Sequence, residues 1–143
     1  MKNFLEALDT NLFLNCSMEI DCIKENGNPF LDVIIDQKKI YSGEVLRKIF
    51  IKERISVHKP FRIVWKMSKK KYNIEKETAI IVKLKIDNIN IIPNFNHHLN
   101  YINDHSTSIT SNYMGFNGEL SLNIDKPFYQ WYHSISWQGM AID

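Results

Sequence analysis

The sequence predicts an all-β protein: an antiparallel β-sandwich, with jelly-roll topology as its specialisation. Apolar and polar side chains alternate along several short segments, which is the pattern of strands that bury one face. Turn-forming residues separate these segments, and a helical pattern is confined to residues 3–8. About seven or eight such strands are typical of a sandwich. The length of 143 residues predicts a single domain covering residues 1–143.

The first half of the chain contains alternating segments that are joined by turns. The predicted elements are a strand at Leu12 to Cys22, a turn at Glu25 to Pro29, a strand at Phe30 to Ile35, a turn at Asp36 to Lys39 and a short strand at Ile40 and Tyr41. The next segment, Glu44 to Val57, also fits a helical stripe. Its β-branched residues and its neighbours favour a strand.

The second half repeats the alternation with longer connections. Strands are predicted at Phe61 to Met67, at Thr78 to Ile86, at Leu120 to Ile124 and at Phe128 to Trp137. A polar connection, SKKKYNIEKE, separates the first two, and an asparagine-rich loop without a usable period is predicted at Pro93 to Thr110. We expect Leu120, Leu122 and Ile124 to point into the core.

The aromatic run near the end of the chain supplies the candidate contact residues. If this segment is extended, its side chains divide by parity into two faces. Tyr129, Trp131, His133, Ile135 and Trp137 form a face that resembles core, and Phe128, Gln130, Tyr132, Ser134, Ser136 and Gln138 form a polar face with two rings. Rings beside amides and hydroxyls suit either a sugar or a protein interface. We predict ligand or partner contacts at Phe128, Gln130, Tyr132 and Gln138.

The histidines of the long loop invite a test for a metal site. His97, His98 and His105 lie there with Asp104, and zinc accepts such ligands. Adjacent histidines on one extended backbone do not aim at one ion, and the sequence has no HExxH motif. We therefore expect a solvated or interface loop and predict no metal.

Catalytic signatures are missing from the sequence. It contains no GxSxG motif and no phosphate-binding glycine loop among its five glycines. Cys16 and Cys22 lie about 20 Å apart in one strand, so they do not bridge each other, and we expect both to act as small core residues. We predict a non-enzymatic protein without catalytic residues. A small cytoplasmic enzyme is the least favoured alternative.

The charge distribution limits the classes of binding partner that we expect. The net charge is +2 and only three residues are arginine, which argues against a nucleic-acid partner. The basic cluster Lys69 to Tyr72 is followed by Glu75 and Glu77, so we predict a solvated hairpin loop there. No stretch of about 18 apolar residues indicates a membrane span, and the N-terminal segment lacks the features of a signal peptide. We expect no membrane partner and synthesis in a cytoplasm.

Three blocks of sequence resemble a group of small β-sandwich proteins encoded by marine tailed phages. The blocks are PFLDVIIDQKKIYSG, KETAIIVKLKIDNINI and YMGFNGELSLNIDKPFYQWYHSISWQG, of which the last is the most specific. The resemblance implies a non-enzymatic virion structural or accessory protein, such as a decoration, head-tail or tail-associated protein. It implies a location in the virion and contacts with other virion proteins or self-association. The alternative is a glycan-binding module that attaches to host surface polysaccharide.

The first half also resembles calcium-dependent xylan-binding-type carbohydrate-binding modules, which are jelly-roll sandwiches. In those modules, the aspartate of a D-R-N motif before a strand ligates calcium. Here Lys76 occupies that position between Glu75 and Glu77, and Asn88 replaces the glycine that follows Asp87. Because a lysine does not ligate a hard cation, we expect this chain to share the sandwich rather than the site, and we predict no cofactor, with calcium as the disfavoured alternative.

Overall fold

The computed structural model describes residues 13–23, 28–73, 78–105 and 111–141, with side chains described up to residue 136. Within these residues, ten strands form two sheets that pack face to face. Sheet 1 contains β1 (Phe13–Ile23), β4 (Lys48–Ser56), β6 (Ala79–Ile86), β7 (Ile89–Ile92) and β9 (Tyr113–Met114). Sheet 2 contains β2 (Phe30–Ile35), β3 (Lys38–Glu44), β5 (Phe61–Ser68), β8 (Leu99–Asn103) and β10 (Gly118–Ile124). A 3-10 helix (Asn96–His98) and helix α1 (Phe128–Ala141) complete the fold.

Every strand pair is antiparallel, which confirms the predicted antiparallel β-sandwich. The order in sheet 1 is β4, β1, β6 and β7, and β9 also pairs with β6. The order in sheet 2 is β3, β2, β5, β10 and β8. The ambiguous segment Glu44 to Val57 contributes strand β4, so its β-branched residues indicated the correct structure.

The core lies between the sheets and is built from the alternating apolar residues. Trp65 of β5 is completely buried, with Val33 and Leu120 opposite it on the neighbouring strands. Cys16 is also fully buried and Cys22 is half-buried, and within the described chain neither forms a disulfide bond. Burying one large apolar side chain contributes about 1.5–3 kcal/mol, so this interface is the main source of stability.

One edge of β6 is covered by two short strands with an asparagine between them. β7 pairs with residues near the end of β6, and β9 pairs with Ile80 and Ile81 near its start. Between them, the Val82 amide donates to the Asn112 carbonyl at 3.0 Å, and Asn112 Nδ2 donates to the Val82 carbonyl at 3.0 Å. Asn112 thereby takes the place of a paired strand residue.

The predicted strand at Phe128 to Trp137 is wrong, because this segment lies within helix α1. The Trp131 amide donates to the carbonyl of Pro127, which starts the helix. Among the helix residues whose side chains are described, Phe128, Trp131 and Ile135 are buried, at the i, i+3 and i+7 spacing of a helix face. Aromatic residues favour strands in general, and here packing against the end of the sandwich overrides that preference. No helix among the described residues is long and apolar enough to cross a membrane.

The predicted long loop at Pro93 to Thr110 also needs correction. It contains the 3-10 helix and strand β8, which pairs with β10 along five positions. Asparagine side chains mask the alternation of buried Leu99 and Tyr101 in this strand. Several predicted features lie outside the described residues: the helical pattern at residues 3–8, the turn residues 25–27, and Lys76 with its neighbours Glu75 and Glu77.

We predict that Gly118→Ala destabilises the fold, because β8 and β10 approach closely at this position. A Cβ on Gly118 would overlap the carbonyl of Ile102 and lie 2.6 Å from the Cα of Asn103. Moving a backbone away from such a contact costs about 1–3 kcal/mol, measurable as a lower free energy of unfolding in urea.

Gly43→Ala is the matched control for this substitution. Its Cβ would have the Tyr41 hydroxyl as nearest neighbour at 3.5 Å, an ordinary contact. Equal stability of the two variants would contradict the close approach of β8 and β10.

Candidate functional site

The structure does not bring the four sequence-predicted contact residues together on one surface. Phe128 is completely buried, and Tyr132 is half-buried and stacked against it, with ring centroids 6.0 Å apart. Gln130 is exposed on helix α1, and the side chain of Gln138 lies outside the described residues. Phe128 therefore does not face a partner as the strand prediction required. A contact role for Gln130 and Tyr132 stays a prediction.

The histidines of the segment predicted as a loop, Pro93 to Thr110, lie at the two ends of β8. His97 and His98 precede this strand, and their ring centroids are 4.3 Å apart. Burial, together with the neighbouring His97, lowers the pKa of the His98 imidazole. His105 follows the strand at its other end, beside Asp104. The part of the chain that the structure describes has no group of three or more His, Cys, Asp or Glu side chains suited to hold a metal ion.

Three loops meet at the end of the sandwich where His105 lies, and we call this end the loop end. Met67 of β5 pairs with Gly118 of β10, which in turn pairs with Asn103 of β8. The residues that follow β5, follow β8 and precede β10 therefore leave sheet 2 side by side. Helix α1 follows β10 and lies at the opposite end, where Tyr129 donates a hydrogen bond to Asp87.

Three rings from these loops form one cluster, which we call the loop-end ring cluster. His105 and Phe116 are stacked, with centroids 4.1 Å apart and planes inclined by 23°. Tyr72 contacts the His105 ring edge-on at 4.8 Å and lies 6.0 Å from Phe116. His105 is exposed and Phe116 is 36% exposed, so this cluster offers ring surface to solvent.

A buried lysine, Lys70, contacts two rings of the loop-end ring cluster and the backbone of the surrounding loops. Lys70 is only 6% exposed, and its Nζ donates to the carbonyls of Thr78 at 2.7 Å and Gly115 at 2.5 Å. The same ammonium lies 5.7 Å from the centroid of Tyr72 and 5.9 Å from that of Phe116. The prediction of a solvated loop at Lys69 to Tyr72 is therefore wrong for Lys70. A buried ammonium needs such partners, and here they join two loops and the start of β6.

Hydrogen bonds fix the polar groups of the loop end. The Asn117 side chain accepts from the Lys70 amide and donates to the Lys70 carbonyl, both at 3.0 Å. The Tyr72 hydroxyl accepts from the Asn117 amide and donates to Asp104 Oδ2, both at 2.8 Å. Burial and the hydrogen bond to Asp104 raise the pKa of Tyr72. The exposed Asp104 carboxylate is thus held beside the rings with one oxygen already bound.

The sequence contains little signal for this arrangement. Tyr72, His105 and Phe116 are separated by long stretches of chain, and no local spacing links them. Only the register of β5, β10 and β8 brings their loops together. The Gly118 position was one available signal, because a glycine at the start of an alternating strand indicates a close backbone approach.

Comparisons with known proteins bear on the fold. No protein-family model and no curated protein matches this sequence. One similar solved structure, vCBM60 in complex with galactobiose, has a TM-score of 0.52 and 9% identity and covers 76% of this chain and 97% of that chain. A selenomethionine form of vCBM60, described with two families of calcium-dependent carbohydrate-binding modules, has a TM-score of 0.51, 10% identity and coverages of 78% and 92%. The chain therefore has the fold of carbohydrate-binding modules.

We predict that stability falls at high pH because of Tyr101. Its buried hydroxyl donates to the Phe116 carbonyl and accepts from the Phe116 amide at 2.9 Å. Burial raises the pKa of Tyr101 to about 12, above the value of about 10 in an unfolded chain. Its contribution is therefore complete below about pH 10 and is lost as the pH rises towards 12, by about 1–3 kcal/mol.

Urea unfolding between about pH 9 and pH 12, followed beside tyrosinate absorbance, measures this effect. Tyr101→Phe is the matched control and should show a flatter dependence of stability on pH. Titration of all tyrosines near pH 10 in the folded protein would contradict the raised pKa.

Proposed function

We propose that this protein binds carbohydrate through the loop-end ring cluster. The observation that carries the proposal is the His105–Phe116 ring pair, exposed beside the Asp104 carboxylate. Aromatic faces pack against the apolar C–H faces of sugars, and a carboxylate accepts hydrogen bonds from sugar hydroxyls. The similar structures support the same class of ligand, because one of them is a complex with galactobiose.

Preorganisation strengthens this proposal. Tyr72 orients Asp104, and Asn117 ties the loop after β5 to the loop before β10. These side chains are therefore already ordered before a ligand binds, so binding costs less conformational entropy. Asp104 Oδ1, which has no hydrogen-bond partner within the described residues, and the imidazole of the exposed His105 are the polar groups available to a sugar.

Calcium is the cofactor that the similar modules imply, and the described residues do not fit it. Calcium takes six to eight oxygen ligands, with carboxylates prominent among them. The described residues contain no group of three or more His, Cys, Asp or Glu side chains suited to hold a metal ion, and Asp104 of the loop end already accepts a hydrogen bond from Tyr72. The mechanism proposed here therefore uses no metal step.

A glycan array tests the proposal with the wild type and Phe116→Ala. Removing the stacking ring should weaken binding by up to about tenfold, since a ring contact is worth about 0.5–1.5 kcal/mol. Leu46→Ala is the matched control, because Leu46 is an exposed apolar residue, 58% exposed, in the loop between β3 and β4. We expect equal binding in calcium and in a chelator.

Two further outcomes locate the site if the proposal fails. Loss of binding in Gln130→Ala, with Phe116→Ala unchanged, would move the site to helix α1, as the sequence-based prediction had it. No binding by the wild type across a broad array would reject the carbohydrate function.

A role in a phage virion is the second candidate function, and the resemblance of the block that contains PFYQWYH favours it. A glycan-binding module on a particle is compatible with it, since attachment to host polysaccharide needs an exposed loop end. We expect mass spectrometry of purified particles to find the protein in stoichiometric amounts. Its presence only in lysates of infected cells would contradict a virion location.

A further inference from the structure

We propose that the outward face of sheet 1 is a second binding surface, which takes an anionic polysaccharide. The strand register arranges its side chains in rows across β4, β1 and β6. Ser17 of β1 lies opposite Lys52 of β4 on one side and Lys85 of β6 on the other. In the next row, Asn15 lies opposite Arg54. The Cα atoms of the two lysines are two strand spacings apart, about 10 Å.

Positive and negative side chains are distributed unevenly along the outward face of sheet 1. Towards the loop end, the carboxylates Glu19 and Asp21 are occupied by two lysines, Lys48 at 3.2 and 3.5 Å and Lys83 at 3.4 and 4.0 Å. The hydrogen bond from Lys48 also lowers the pKa of Glu19.

Lys52, Lys85 and Arg54 form the basic patch of this face. In the described parts of the chain, none of the three takes part in an ion pair. All three side chains are exposed. The guanidinium of Arg54 lies 4.8 Å from the ring centroid of Phe13, which holds it in place without neutralising it. The net charge of the chain is only +2, so this patch is a local concentration of positive charge.

The outward face of sheet 2 shows the opposite arrangement. Lys66 lies between Asp32 on β2 and Glu119 on β10, at directly opposed positions. The ammonium of Lys39 is 3.6 Å from Asp32. Because those lysines have acidic neighbours, a polyanion gains little there, and the two faces of the sandwich differ in charge.

A groove next to the basic patch supplies the remaining contacts. Its volume is about 560 Å³, and it runs over the face of β1 and β6. Phe50 at its side is 69% exposed, the highest value among the large apolar residues of the described chain. The polar lining comes from Ser17, Glu19, Lys83, Lys85 and Asn90. An apolar ring, a hydroxyl and an amide beside cations match a sugar chain that bears acidic groups.

A polysaccharide fits this surface better than a nucleic acid. Single-stranded nucleic acids are bound by several stacking rings along a basic groove, and Phe50 is a single ring here. Two of the three cations are lysines, which act as point charges and lack the fork that reads base edges. Sulfate and carboxylate groups share the chemistry that the patch recognises, so the experiment contains both.

The test measures binding to dextran sulfate, to a polyuronate and to neutral dextran at several salt concentrations. We expect the two acidic polymers to bind more tightly than the neutral polymer, by a margin that falls as salt rises. The double variant Lys52→Gln/Lys85→Gln should bind the acidic polymers about tenfold or more weakly. Lys39→Gln/Lys66→Gln, on sheet 2, is the matched control and should bind like the wild type.

Phe116→Ala separates this inference from the proposed function. It removes a ring of the loop-end ring cluster and should leave the salt-dependent preference for the acidic polymers over neutral dextran unchanged, whichever result the glycan array gives. Equal binding of dextran sulfate and neutral dextran would overturn the inference. So would an unchanged affinity in Lys52→Gln/Lys85→Gln, or tighter binding of single-stranded DNA or anionic vesicles than of either acidic polymer.

Discussion

The contact between the inward faces of the two sheets is the interaction on which the rest of the molecule depends. Its side chains occupy alternate positions of the central strands, and Trp65 lies fully buried among them. The same alternation fixes what faces solvent, because a slip of one residue would exchange the two faces of a strand. The row of Lys52, Ser17 and Lys85 is therefore set by the burial of Cys16 and Met18 on the other side of β1.

At the loop end, hydrogen bonds rather than apolar contacts hold the loops in place. Lys70 is the central group there, because its ammonium binds carbonyls from two different connections. An unpaired ammonium in that position would carry a large desolvation cost, so the loops are held where they satisfy it. The exposed rings and Asp104 lie on this support, which explains how a loop surface achieves the fixed geometry that ligand binding needs.

Alternation predicted β1, β2, β5, β6 and β10 from the sequence, because each strand has one face in the core. It failed for Phe128 to Trp137, where Phe128, Trp131 and Ile135 have helical spacing and the strand preference of aromatic residues was given more weight. The loop-end ring cluster could not be predicted from the sequence, because its three residues lie in different loops that only the register of sheet 2 brings together. Lys70 was assigned to solvent because a lysine in a polar stretch carries no local sign of burial.

Strand β4 lies at the edge of sheet 1 among the described strands, so the backbone groups along its outer side have no partner strand there. Such an edge is a template for pairing between two copies of a chain, the first step of edge-to-edge aggregation. Lys48, Lys52 and Arg54 occupy alternate positions of this strand together with Phe50. When two copies approach edge to edge, the like charges of Lys52 and Arg54 meet and repel, whereas Lys48 is already paired with Glu19 and Asp21. The basic residues of β4 therefore favour solubility independently of any ligand.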